Sequence, residues 1–102
     1  MATFYFTKQP SEQTTFGIDA SGFREIQLGE TITSATVTVT DRTTGVAVAG
    51  IYVSHDIETG KIVRVRVTGG TDGAEYVITV LGTTDAGHIR ESDVVMSVKE
   101  KP

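Results

Sequence analysis

Cysteine, tryptophan and asparagine are absent from this 102-residue chain, and proline occurs only twice. Without cysteine there is no disulfide, no thiolate nucleophile and no cysteine-based zinc site, so the fold must be held by packing. Without asparagine there is no N-glycosylation acceptor, and one of the two side chains that pair with adenine edges is missing. No apolar run approaches the roughly 20 residues of a membrane-spanning helix. Residues 1–8 hold the cluster Phe4-Tyr5-Phe6 but lack the basic flank and the apolar length of a secretory leader. Synthesis in the cytoplasm of the producing cell and no membrane partner are therefore expected. Positive charge is scarce as well: 9 Lys and Arg against 13 Asp and Glu leave a formal net charge of −4, the wrong sign for a nucleic-acid footprint.

What is abundant is threonine, with 17 residues, and valine, with 13. Both are β-branched and suit pleated strands better than helices. Apolar residues alternate with polar ones in several runs, and no stretch of helical period reaches ten residues. Ala35, Val37 and Val39 alternate with Thr36, Thr38 and Thr40; Val63, Val65 and Val67 alternate with Arg64, Arg66 and Thr68. Tyr76, Ile78 and Val80 form a third inward set and Val94, Met96 and Val98 a fourth, while Val77 and Leu81 suggest some cover on the opposite face. Shorter candidates are residues 4–7, 23–28, 46–49 and 51–57. Glycine- and aspartate-bearing turns separate the runs at residues 41–45, 58–61, 69–73 and 85–87.

These links are too short for parallel crossovers, so the pattern predicts an all-β fold: an antiparallel immunoglobulin-like or fibronectin-like β-sandwich of about seven strands. A small closed barrel is the alternative. The length allows one domain, read as an N-terminal strand or arm plus polar linker over 1–22 and the sandwich proper over 23–102. Gly69, Gly70 and Gly73 followed by Tyr76 suggest a structural corner in which the tyrosine hydroxyl bonds back to the preceding loop.

Catalytic chemistry has no candidate. His55 and His88 lie far apart without ligand spacing, and neither is given a role. Glu91 and Asp93 share one strand face rather than opposing each other across a substrate. The serines lack a Gly-x-Ser-x-Gly elbow, the glycines at 69–73 precede no helix that could hold a phosphate, and no acid-rich loop announces calcium. No catalytic residue, metal or cofactor is expected. Two surface features have two readings each. Arg64 and Arg66 either solvate a strand face or form a basic handle for a partner protein, extended by Arg42 or Lys61 if those loops fold over it. Phe4, Tyr5 and Phe6 either make an ordinary first strand or form a projecting arm whose rings anchor in a neighbouring subunit, with residues 10–22 as the tether.

A string of strand and turn signatures runs nearly the whole length: Lys8-Gln9-Pro10 with Glu12, then Phe16 and Asp19, then Leu28-Gly29-Glu30-Thr31-Ile32-Thr33-Ser34. It continues through Val67-Thr68-Gly69-Gly70-Thr71-Asp72-Gly73-Ala74-Glu75-Tyr76-Val77-Ile78-Thr79 and Thr83-Thr84-Asp85-Ala86-Gly87. This string resembles a family of small immunoglobulin-like virion proteins of tailed phages, described as fibre–tail adaptor or head–tail region proteins. The chain departs from it where Ala20-Ser21-Gly22 precede Phe23, and over residues 41–60. The resemblance implies a non-enzymatic structural protein of a phage or prophage, made in the bacterial host cytoplasm and located in the virion. It would contact other virion structural proteins in the tail, neck or fibre region, could self-associate, and would bind neither nucleic acid nor membrane. A carbohydrate- or surface-binding module of the same architecture is the alternative, although the scarcity of aromatic rings weighs against a sugar platform.

Overall fold

The computed structural model describes residues 2–19 and 29–99, and seven strands account for most of them. They are β1 (Ala2–Lys8), β2 (Thr14–Asp19), β3 (Ile32–Asp41), β4 (Tyr52–Glu58), β5 (Ile62–Val67), β6 (Glu75–Thr84) and β7 (Ile89–Val98). Two sheets form, a four-stranded one in the order β1-β7-β6-β3 and a three-stranded one in the order β2-β5-β4. This is the immunoglobulin-like arrangement, with the first strand joined to the four-stranded sheet.

Alternation decides which faces meet. Val63, Val65 and Val67 of β5, Tyr76, Ile78 and Val80 of β6, and Val94, Met96 and Val98 of β7 are all buried, as is Val39 of β3. Val37 is only partly buried, packed at the margin of this core. Ile18, Ile32 and Ile51 complete the buried set. Each β-branched or long apolar side chain so enclosed contributes roughly 1.5–3 kcal/mol, which is how a chain without cross-links holds together.

Three expectations change. First, the segment 10–22 is not simply a tether: its Thr14, Phe16 and Ile18 pair with Val67, Val65 and Val63 as strand β2. Second, β1 runs parallel to β7, from Ala2 opposite Ser92 to Lys8 opposite Val98, so one pair of the sandwich is not antiparallel. Parallel neighbours need a long connection, and here the whole sandwich lies between them. Third, residues 46–49 make no strand; Ala47 forms a single bridge to Thr40. The Asp41 carboxylate accepts the Thr43 and Thr44 amides at 2.8 and 3.2 Å, and Gly50, at φ +87°, turns the chain away again. The expected strand 23–28 lies outside the described residues.

Lys8 is the least foreseeable core residue, only 3 % exposed. Its Nζ donates to the backbone oxygens of Gln9 and Gly69, both at 2.5 Å. Burial pushes its ammonium below the ordinary lysine value, and the charge of Glu12 pulls it partly back.

Candidate interaction surfaces

The three-stranded sheet turns Arg64 and Arg66 of β5 outward, because Val63, Val65 and Val67 occupy the inward positions. Ser54 and Asp56 flank them from β4 and Thr15 and Gly17 from β2, and a shallow depression forms between Thr15, Ser54, Asp56, Arg64 and Arg66. Arg64 is already occupied. Its guanidinium donates to both oxygens of Asp56, Nε to Oδ1 at 2.8 Å and NH2 to Oδ2 at 3.1 Å, and lies 3.7 Å from Glu58. The hydrogen bonds to Asp56 and the two carboxylate charges raise its pKa further. Arg42 does not extend this face: it bonds Glu75 at 3.2 Å on the other sheet. Lys61 stays in the β4–β5 turn. The basic handle therefore narrows to Arg66 beside a neutralised Arg64.

On the four-stranded sheet, Phe4, Tyr5 and Phe6 lie within β1 as a strand of the chain's own sheet. This corrects the projecting-arm reading. Phe6 packs against Phe16 of β2 across the sandwich, ring centroids 5.3 Å apart, and belongs to the core margin. Tyr5 points the other way and is 69 % exposed, while Phe4 takes the register position opposite Val94. The three residues are thus not one surface. Tyr5 stands opposite Val95, which in turn stands opposite Val77. Val95 is buried although it lies on the outer face, and the unbroken apolar triplet Val94-Val95-Met96 is the sequence signal of that double-sided cover. Leu81 and Ile89 remain exposed on the same face.

Where the sequence placed a corner, the Thr71 amide donates to the Tyr76 hydroxyl at 2.9 Å. Gly69, Gly70 and Gly73 all have positive φ, the Gly73 amide bonds the Val98 carbonyl and the Val98 amide bonds the Ala74 carbonyl. Removing the hydroxyl leaves a partly buried N–H without its partner. Tyr76→Phe is therefore expected to cost about 1–2 kcal/mol, read as a lower denaturation midpoint at unchanged slope.

The histidines each have a near neighbour. His55 Nδ1 lies 2.5 Å from the Tyr52 hydroxyl, and His88 Nδ1 lies 2.9 Å from Glu30 Oε1. Glu30 also accepts from the Thr84 hydroxyl at 2.7 Å, and the same Thr84 oxygen accepts the His88 amide at 3.1 Å. This group ties the β6–β7 turn to the entry of β3. It joins residues distant in the chain, so no local pattern announces it. Asp93 accepts from Thr79 on the neighbouring strand and does not converge with Glu91 as an acid pair would. Among the described residues, no group of three His, Cys, Asp or Glu is placed to hold a metal.

Set beside known proteins, the chain matches the family described as podophage GP4 fiber-tail adaptor protein gp77 over residues 8–97. No curated protein matches it in sequence. Among solved structures it is similar to the M1 domain from titin, with 17 % identity, a TM-score of 0.47, and coverage of 95 % of this chain and 88 % of that one.

Proposed function

Starting from the fact that the chain belongs to the podophage GP4 fiber-tail adaptor protein gp77 family, we propose that it is a non-enzymatic virion protein joining fibre to tail through surface contacts. The observation that carries this reading is the extent of the family match, which runs from the last residue of β1 to within β7. The matched stretch contains β2 to β6 whole and most of β7. The character of the surface agrees. Several of its polar side chains tie neighbouring segments together, as in Arg64 with Asp56, Thr79 with Asp93, and Ser97 and Arg42 with Glu75. Tyr5, Leu81, Ile89 and Arg66 are left exposed, the mixture of aromatic, aliphatic and arginine groups from which protein interfaces are built. Its partners are then other virion structural proteins, neither nucleic acid nor membrane, and it is made in the bacterial host before incorporation.

The experiment is deletion of the gene from a phage that encodes the chain. Purified wild-type particles should yield its peptides by mass spectrometry. Deletion particles should keep their tails and lose their fibres under the electron microscope, with both restored from a plasmid. Fibred particles without the chain would refute the adaptor role.

A further inference from the structure

A sandwich of two open sheets has four edge strands, and each presents unpaired backbone groups that invite another strand. Among the described residues, three of the edges here are interrupted. β3 has a register shift between Ile32 and Ser34 and is bridged by its own chain at Ala47. β4 has a shift between Tyr52 and Ser54 and carries Asp56 and Glu58. β2 is six residues long, with Gly17 inside it and Asp19 at its end. β1 has none of these protections. Its register with β7 is unbroken over seven residues, it contains no proline or glycine, and it bears no charge before Lys8. Even that ammonium is turned inward to Gly69 and Gln9. A regular, uncharged edge rich in aromatic and β-branched residues is one that soluble proteins cover.

We propose that a second copy of this chain covers it, the two β1 strands pairing antiparallel about a two-fold axis at Tyr5. Three observations select this occupant. The first is self-complementarity: Thr3-Phe4-Tyr5-Phe6-Thr7 reads the same in both directions. A two-fold centred on Tyr5 sets tyrosine opposite tyrosine, Thr3 opposite Thr7 of the second copy and Phe4 opposite its Phe6. A tyrosine pair is favourable across strands, and isologous contact requires a surface that complements itself.

The second is backbone phase. The Lys99 amide donates to the Lys8 carbonyl, so the backbone groups of Lys8, and by alternation those of Phe6 and Phe4, face β7. Those of Thr3, Tyr5 and Thr7 consequently face the open side. In the two-fold register these are the residues directly opposite one another, and each pair exchanges both of its N–H···O bonds. The third is charge. Identical chains of net charge −4 repel one another, and an uncharged edge is where they approach at least cost. The product is one continuous eight-stranded sheet with a small sandwich at either end, which presents every other surface of the chain twice. The inference stands on the geometry of β1 and does not depend on the virion reading.

Sedimentation equilibrium of the full chain over a dilution series tests it. The expected result is a species of twice the 10.9 kDa chain mass that dissociates on dilution. Thr7→Pro removes an N–H that faces the open side and leaves the β7 ladder intact, a position where strand prolines are tolerated. Tyr5→Lys sets like charges opposite each other at the axis. Both should raise the dissociation constant about tenfold or more while the diluted monomers melt as the parent monomer does. A chain that is monomeric throughout, or a dimer that survives both substitutions, overturns the proposal. Because the chain has no cysteine, Tyr5→Cys gives a second measurement free of background. Antiparallel bonded pairs hold their Cα atoms about 5.5 Å apart, within disulfide reach. Tyr5→Cys should therefore oxidise to a covalent dimer much faster than Ile89→Cys, which is exposed on the same outer face away from the axis. Equal rates overturn the pairing.

Discussion

Deletion of residues 1–8 is expected to abolish cooperative folding, or to lower the melting temperature by tens of degrees. The strand lost is β1. With it go Phe6, which closes the sandwich against Phe16 at 5.3 Å, the buried Lys8 that bonds the Gly69 carbonyl, and the Lys8 carbonyl that accepts the Lys99 amide. What remains is β7 as a new edge, with the parallel ladder from Ser92 to Val98 unsatisfied. Truncating a fully buried phenylalanine costs roughly 3–5 kcal/mol, and the partly buried Phe6 forfeits a share of that. The entire stability of a domain is roughly 5–15 kcal/mol, so a Phe contact, an edge ladder and a buried bond together take most of it. A thermal melt of the truncated chain followed by circular dichroism checks this. An unshifted melt would mean that β1 is not part of the folded unit.

Gly70→Ala should be strongly destabilising for a loop substitution that adds a single methyl. Gly70 has φ +102°, a conformation in which a side chain is strained, and a Cβ placed there would lie 2.7 Å from Val98 Cγ2 and 3.3 Å from the Tyr76 ring. Val98 is fully buried, so its methyl has nowhere to retreat without disturbing the corner. Backbone strain and overpacking each cost about 1–3 kcal/mol, and a combined loss of roughly 2–6 kcal/mol is expected. For a domain of this size each kcal/mol moves the melting temperature by about 4–8 °C. The clash and the strain separate in a double-mutant cycle with Val98→Ala. If the clash dominates, the double variant is less destabilised than the sum of the singles. Strict additivity would assign the loss to backbone strain alone.

The sequence read the central strands well because their alternation is undiluted. Val63, Val65 and Val67 against Arg64 and Arg66 leave no doubt about face, and the inward sets of β6 and β7 are as clear. The corner was legible for a related reason: a glycine cluster ahead of an inward tyrosine has few other uses. β2 was harder to see. Its inward residues are Thr14, Phe16 and Ile18, and its outward ones Thr15, Gly17 and Asp19. Threonine and glycine blur the contrast on which period-2 reading relies. Phe4, Tyr5 and Phe6 fit an ordinary first strand and a projecting arm equally well in sequence, because alternation alone does not say whether a strand pairs with its own sheet or with a neighbour's. Lys8 defied its residue type, burying its stem and closing its charge on two carbonyls. Arg42 and the Glu30, Thr84 and His88 group depend on which loops meet in space, and no local pattern encodes that.

The pairing of the first strand with the last has a mechanical consequence. Ala2 lies beside Ser92 and Lys8 beside Val98, the two strands running the same way. A load that enters at Ala2 and leaves at Val98 pulls the strands past each other along their length, so every rung of the ladder bears it at once. An antiparallel hairpin such as β6–β7, pulled apart at its open end, would instead give way one rung after another. Tension transmitted from end to end through this chain therefore meets its sheet in shear, the direction in which a short ladder of backbone hydrogen bonds resists most.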